Sequence, residues 1–317
     1  MSSCVETRFA YGEALLELGT QRSDVVVLDA DLYRSTRTVL FRDAFPDRFI
    51  DIGISEADMV STAAGMAASG LIPYCNSFAM FVPGLCYIPI RTQIAYPALP
   101  VKLIGSSSGL TQGPDGASHQ SLEDISLMRS LPNMIVVSPA DDVETRQATF
   151  ALADWPGPAY MRLGRYPVPR LNDDNYRFAI GKSARLRVGD EVVIFATGHM
   201  VSKALAASEL LAHEGVDAGV INVSTIKPLD EAAIREAAAK AALVVTAEEH
   251  SIIGGLGSAV AECLAEIRPA APLLRLGVRD CFGESGLADE LLEKHGLQPT
   301  RICASIVQRL RTIKSLS

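Results

Sequence analysis

Asp51-Ile-Gly-Ile-Ser-Glu-Ala-Asp-Met59 joins a short apolar strand to a helix of small residues, Glu56–Ser69, closed by Gly70. Read alone, Glu56 is a helix-start carboxylate: Ser55 can cap, and an acid favours the positive end of the helix dipole. The side chains that follow are unusually small, at Ala57, Ala63, Ala64, Gly65, Ala67 and Ala68. They let the helix pack closely, within one subunit or across an interface.

On both sides of this stretch, apolar runs alternate with helices. Asp24-Val-Val-Val-Leu-Asp-Ala-Asp31, Val101–Gly105 and Asn133–Ser138 read as strands. Continuous apolar strands separated by helices predict a parallel sheet covered on both faces. From Leu163 to about Lys182, Pro167, Pro169 and the polar run Asn172-Asp-Asp-Asn175 read as an interdomain linker. A second alternation follows. Its strands are Glu191–Thr197, Ala218–Val223, Ala242–Thr246 and Pro272–Leu276, with helices near Val201–His213, Leu229–Ala239 and, last, Leu287–His295 before Gly296. The expected fold class is α/β, as two three-layer domains: residues 1–166, a linker at 167–186, and residues 187–317.

The bulk properties exclude several classes. The 317 residues suffice for two domains with substantial cores. A hydrophobic share of 48% against 21% charged residues describes a globular chain rather than a disordered one. A net charge of −8 and the lack of a Lys/Arg cluster argue against a nucleic-acid surface. No apolar run reaches the roughly 18 residues of a membrane span, and no secretory signal is seen at the start of the sequence. The six cysteines form no CxxC pair and no zinc spacing, and the five histidines are scattered. Reduced thiols in a cytoplasmic protein are the simplest reading.

Some residues suggest a ligand site, each with a plainer reading beside it. Phe78 and Phe81, in Asn76-Ser-Phe-Ala-Met-Phe-Val-Pro83, can share one face as a stacking wall or merely fill a core. Ser106–His119 is a 14-residue Gly/Ser-rich loop carrying Asp115 and His119 four apart. Such loops are often functional, and these groups could bind a polyhydroxylated substrate, although a surface turn would look the same. Arg162 and Arg165 lie just past a strand, at the edge where α/β sheets bind ligands, and Arg8 lies in Thr7-Arg-Phe-Ala-Tyr-Gly12. Each suits an oxyanion or plain solvent. Gly254-Gly-Leu-Gly257 can cradle an anion or simply form a tight βα turn.

Together, these residues resemble the C-terminal half of a transketolase over essentially the whole chain. The match runs from Ala30-Asp-Leu32 through Glu56, Phe78/Phe81, Asp115-Gly116 with His119-Gln120, Glu123-Asp-Ile-Ser-Leu-Met-Arg129 and Pro139-Ala-Asp141. It continues through Phe195-Ala-Thr-Gly198, Glu248-Glu-His250 and Phe282-Gly-Glu-Ser-Gly286. The resemblance implies thiamine diphosphate with Mg2+, a pyrimidine-binding domain and then the family's C-terminal domain. It makes Glu56 the carboxylate that activates the cofactor's aminopyrimidine, sharing a proton with its ring nitrogen. Phe78 and Phe81 correspond to the pyrimidine pocket, and Asp31 to an acid near the cofactor. Asp115 and His119 match groups that contact the donor sugar, with His119 also catalytic. Arg8, Ser35 and Arg162 match holders of a substrate phosphate.

Two departures stand out. Ser107 replaces a histidine common near that phosphate, which opens the terminal group of the sugar to question. Gly84 stands where a third pocket aromatic is often found. A larger departure is the missing Gly-Asp-Gly segment with its Asn-bearing loop, which holds diphosphate and Mg2+ in this superfamily. The expectation is therefore the smaller subunit of a split transketolase, active in an α2β2 heterotetramer with a diphosphate-binding partner, on sugar-phosphate or related substrates. A 2-oxo acid dehydrogenase beta subunit shares the architecture, and a non-catalytic scaffold is the third reading. The stretch Asp115–Pro132 favours transketolase over the former, and Glu56, Asp115 and His119 count against the latter.

Overall fold

Fourteen strands account for the alternation in the computed structural model, which describes residues 4–267 and 271–316. They are β1 (Cys4–Glu6), β2 (Val25–Asp29), β3 (Phe49–Asp51), β4 (Ile72–Phe78), β5 (Lys102–Ser106), β6 (Ile135–Val137) and β7 (Ala159–Arg162). After them come β8 (Pro167–Pro169), β9 (Ala184–Arg187), β10 (Val192–Ala196), β11 (Ala218–Asn222), β12 (Thr225–Lys227), β13 (Leu243–Ser251) and β14 (Leu273–Val278).

The first sheet has the order β12-β6-β7-β5-β4-β2-β3 and is parallel except for β12. Every residue of β2 and β5 is buried, which explains apolar runs without alternation. One face is covered by the helices Thr7–Gln21 and Asp142–Asp154, through Tyr11, Leu15, Leu18, Ala148 and Leu152. The helix Glu56–Ala68 covers the other through Met59, Val60, Ala63 and Ala67. The second sheet, β14-β13-β10-β11-β9, is parallel except for β9. Helices Met200–His213 and Pro299–Leu316 pack on one side and Glu231–Ala238 and Leu256–Ala265 on the other. Both units are thus three-layer α/β sandwiches.

Three features depart from the sequence reading. Leu287–His295 does not hold the last helix, because the 18-residue helix Pro299–Leu316 follows it and packs on Met200–His213. The Pro-rich stretch is tied to the first unit: β8 pairs antiparallel with β1, and Asp141 Oδ2 accepts the backbone N–H groups of Leu171 and Asn172 at 2.8 and 2.7 Å. Most unexpectedly, β12 lies within the second half of the sequence but completes the first sheet, antiparallel to β6. Nearby, buried Glu144 accepts Asn222 Nδ2 from β11 at 3.0 Å on both oxygens and the Tyr176 hydroxyl, joining the two units through one carboxylate. Among the described residues, no helix is long and apolar enough to cross a membrane.

Candidate active site

The carboxyl ends of β2, β4 and β5 form the edge where a doubly covered parallel sheet binds ligands. Asp29, at the end of β2, is fully buried and accepts Leu32 N–H and the hydroxyls of Thr36 and Thr38 at 2.6 to 2.9 Å. Burial pushes its carboxyl up to about 6, against those hydrogen bonds. The loop it organises carries Asp31 and Ser35. Asp31 is exposed, adopts φ +60°, and donates its N–H to Asp51 Oδ1 at 3.0 Å. Asp51 also accepts Gly53 N–H at 3.0 Å, so it links the Asp31 turn to the approach to Glu56.

Glu56 begins its helix, but the expected Ser55 side-chain cap is not made. The carboxylate is 6% exposed, and its Oε1 accepts the Ser77 hydroxyl at 2.8 Å. Ser77 comes from the end of β4. Its neighbour Asn76 is held by the Tyr11 hydroxyl at 2.6 Å and donates to Leu28 O at 3.0 Å, fixing where Ser77 points. Burial, and then the charge of Glu56, push the Cys86 thiol up to about 12.

Phe78 closes β4, and Phe81 opens the next helical turn. Their rings stack with centroids 5.9 Å apart and planes 23° from parallel. His119, distant in sequence, presents its ring edge-on to both, at 6.1 and 5.3 Å. A Cβ at Gly84, the position expected for a third aromatic, would meet nothing within 4 Å.

The Gly/Ser-rich loop contains a short 3-10 stretch, Leu110–Asp115, flanked by Gly109 and Gly116 at φ +77° and +75°. Asp115 Oδ2 accepts Gln112 Nε2 at 2.5 Å and lies 3.3 Å from Arg165 Nη1. The second unit closes over this loop. Gln120 Nε2 donates to Gly113 O and to Glu284 O, at 3.0 and 2.8 Å, and a Cβ on Gly116 would come within 2.6 Å of Ser285 Oγ. The Phe282–Gly286 motif therefore meets the loop through its backbone and Ser285, while the Phe282 ring is 87% exposed.

The remaining named residues separate into two groups. Arg8 and Ser35 come together: Arg8 Nη1 donates to Ser35 O at 2.9 Å, and its Nε is held by Glu6 at 2.6 Å. Arg162 does not join them. It is buried, its Nε bonded to Asp124 at 2.8 Å and its Nη2 to the carbonyls of Glu249 and Ser121 at 2.8 and 3.3 Å. Arg165, half exposed three residues later, is the guanidinium that reaches Asp115. Ser107 is fully buried at φ +57°, its hydroxyl without a hydrogen-bond partner among the described residues. The anion cradled by the Gly254–Gly257 turn is internal: Glu248 accepts the N–H groups of Leu256 and Gly257 at 2.7 and 2.8 Å.

Sequence reasoning passes over Ser77 and Cys86 and treats Arg165 as one arginine among several. Ser77 stands inside a quoted segment, but only the packing of the preceding Glu56–Ala68 helix beside β4 brings it to Glu56. The choice between Arg162 and Arg165 depends on Asp124, which lies at the start of another helix.

Residues 3–169 match the transketolase pyrimidine binding domain, and residues 181–302 match the transketolase C-terminal domain. A putative transketolase C-terminal section from Methanocaldococcus jannaschii is 44% identical over 96% of both chains. The 6-deoxy-6-sulfo-D-fructose transketolase subunit SqwH of Clostridium sp. (strain MSTE9) is 46% identical, over 93% of this chain and 91% of its own. A solved split gene transketolase, described as an inactive beta4 tetramer, superposes with a TM-score of 0.90 at 45% identity, covering 97% of this chain and 99% of that one. The chain therefore belongs to the transketolase family, as a split-gene C-terminal half made of the pyrimidine-binding and C-terminal domains.

Proposed function

We propose that this chain is the smaller subunit of a split, thiamine-diphosphate-dependent transketolase that moves a two-carbon ketol unit from a ketose to an aldose. The observation that carries the reading is Glu56: buried, bonded on one oxygen by Ser77 and on the other by no described residue, beside the Phe78–Phe81 stack.

These residues fit an aminopyrimidine. A flat heteroaromatic ring needs an apolar wall, which Phe78 and Phe81 supply, and one carboxyl oxygen for a ring nitrogen, which Glu56 Oε2 supplies. When bound, thiamine diphosphate provides the carbon nucleophile and electron sink for cleavage beside a ketose carbonyl. Glu56 holds and returns a proton at the pyrimidine nitrogen, and Asp31 stands near the cofactor. His119 and Asp115 bind the donor's hydroxyls and carbonyl end, with His119 able to move a proton there. Arg165, Arg8 and Ser35 receive the far, anionic end of the sugar. Arg162 supports this region through Asp124 rather than by touching substrate.

We assign the diphosphate and its Mg2+ to a partner subunit and the assembly to α2β2. The beta4 tetramer of the split relative is described as inactive, which supports a need for the other subunit. A relative named for a sulfonated ketose supports an anionic terminal group on the donor, and Ser107 in place of the usual histidine leaves phosphate and sulfonate both open. All six cysteines are free thiols, in keeping with a cytoplasmic protein.

The test is a ketol-transfer assay with thiamine diphosphate and Mg2+, on this chain alone and mixed with a diphosphate-binding subunit. Phosphorylated and sulfonated ketoses serve as donors. Transfer only in the mixture is expected. Turnover by the chain alone, or an inactive but well-formed complex on every donor, would overturn the proposal.

A further inference from the structure

The second unit grips the donor loop at a further point, through Glu249. This residue lies on β13 with its side chain 4% exposed. Its Oε1 accepts the backbone N–H of Thr111, in the turn leading to Gln112 and Asp115. Its Oε2 lies 3.4 Å from His199 Nδ1, and its carbonyl accepts Arg162 Nη2 at 2.8 Å. His199 packs on the Tyr166 ring, with centroids 4.6 Å apart, and Tyr166 directly follows Arg165. The approach of loop to carboxylate is tight: a Cβ on Gly109 would fall 2.5 Å from Glu249 Cδ.

Asp115 and Arg165 come from two separate segments, and both lie against Glu249. Thr111 bonds the first to it. The second packs beside it through Tyr166 and His199, whose Nδ1 stands 3.4 Å away with no hydrogen bond of its own among the described residues. A carboxylate is a costly way to fill a buried space, since an apolar side chain of similar volume would avoid its desolvation. What the carboxylate adds is a directional, charge-assisted hold on one amide of a loop bordered by glycines. On the donor-site reading given above, we propose that Glu249 is a positioning residue: from the C-terminal domain it sets Asp115 against Arg165 and thereby controls donor recognition.

Two substitutions separate this role from simple support of the fold. Glu249→Gln keeps an oxygen for the Thr111 N–H, and Glu249→Ala keeps none. In the full complex, Glu249→Ala should raise the donor KM about tenfold, on the order expected for one lost charge-assisted hydrogen bond. The acceptor KM and cofactor affinity should stay within about twofold, and Glu249→Gln should recover most of the loss. In the chain itself, amide hydrogen exchange over residues 109–116 should quicken about tenfold in Glu249→Ala, with Glu56–Ala68 unchanged. Unchanged exchange over 109–116 overturns the proposal. So does a uniform rise in exchange with donor, acceptor and cofactor affected alike, which is the mark of general destabilisation. If no donor is turned over by the wild-type complex, the functional reading fails, and the exchange measurement still decides whether Glu249 holds the loop.

Discussion

The Ser77 hydroxyl stands 2.8 Å from Glu56 Oε1, bridging the end of one strand and the start of the helix beside it. The bond occupies one carboxylate oxygen and so orients the other. The carboxylate is thus oriented from β4, at a helix start where the Ser55 side chain makes no cap.

Glu56→Ala in the assembled enzyme should lower ketol transfer by roughly three orders of magnitude, because a group that controls a tautomer acts in the chemical step. Ser77→Ala should cost only about tenfold, since the acid remains and only its orientation is lost. Steady-state kcat with saturating cofactor checks both. A Glu56→Ala complex with undiminished turnover would return the chain to a scaffold role.

His119→Ala should lower kcat/KM for the donor more than it weakens cofactor binding. Its ring packs on Phe78 and Phe81, so the competing outcome is specific. Abolished cofactor binding, read by titration of the complex, would make His119 part of the aromatic wall and not of the donor site.

Gly116→Ala should destabilise the chain by about 1–3 kcal/mol, because the residue adopts φ +75° and its new methyl would press on Ser285 Oγ. Adding Ser285→Gly should restore the contact part and leave the backbone part. Urea unfolding of the single and double variants separates the two. Full recovery in the double variant would mean that the positive φ costs nothing here.

Glu248 makes stability depend on pH. Burial pushes its carboxyl up to about 7, against the Leu256 and Gly257 amides. A folded-state value above the unfolded one means that the native chain binds the extra proton, so this contribution is present below the unfolded value near 4.5 and lost as pH rises to 7. Buried His250, pushed down to about 4 by desolvation, works in the opposite direction between 4 and 6.5. Subtracting the stability profile of Glu248→Gln from that of the wild type isolates the first effect. The difference should slope downward between pH 5 and 7, by at most about 1.4 kcal/mol per unit. A flat difference would place the Glu248 proton outside this window.

Much of the architecture is legible in the sequence because β2, β10 and β11 are buried along their whole length and read as unbroken apolar runs. Glu56, Phe78, Phe81, Asp115 and His119 are legible as candidates because each sits in a local setting that points to a site. Their assembly is not, since the edge-on contacts of His119 span some 40 residues. β12 is illegible for a different reason. Three residues show no period, and their partner β6 belongs to the other unit. Arg162 misleads because its position at the end of a strand suits an anion site, whereas the buried charge of Asp124 claims it first.

The placement of β12 also bears on the order in which the chain is made. Until Thr225–Lys227 emerges from the ribosome, β6 is the outer strand of a nearly finished sheet, with a row of backbone groups open to any other chain. A product ending soon after β8 would keep that template exposed and should aggregate, even though every element around Glu56 would be present. The second unit thus seals this edge of the first against its own copies.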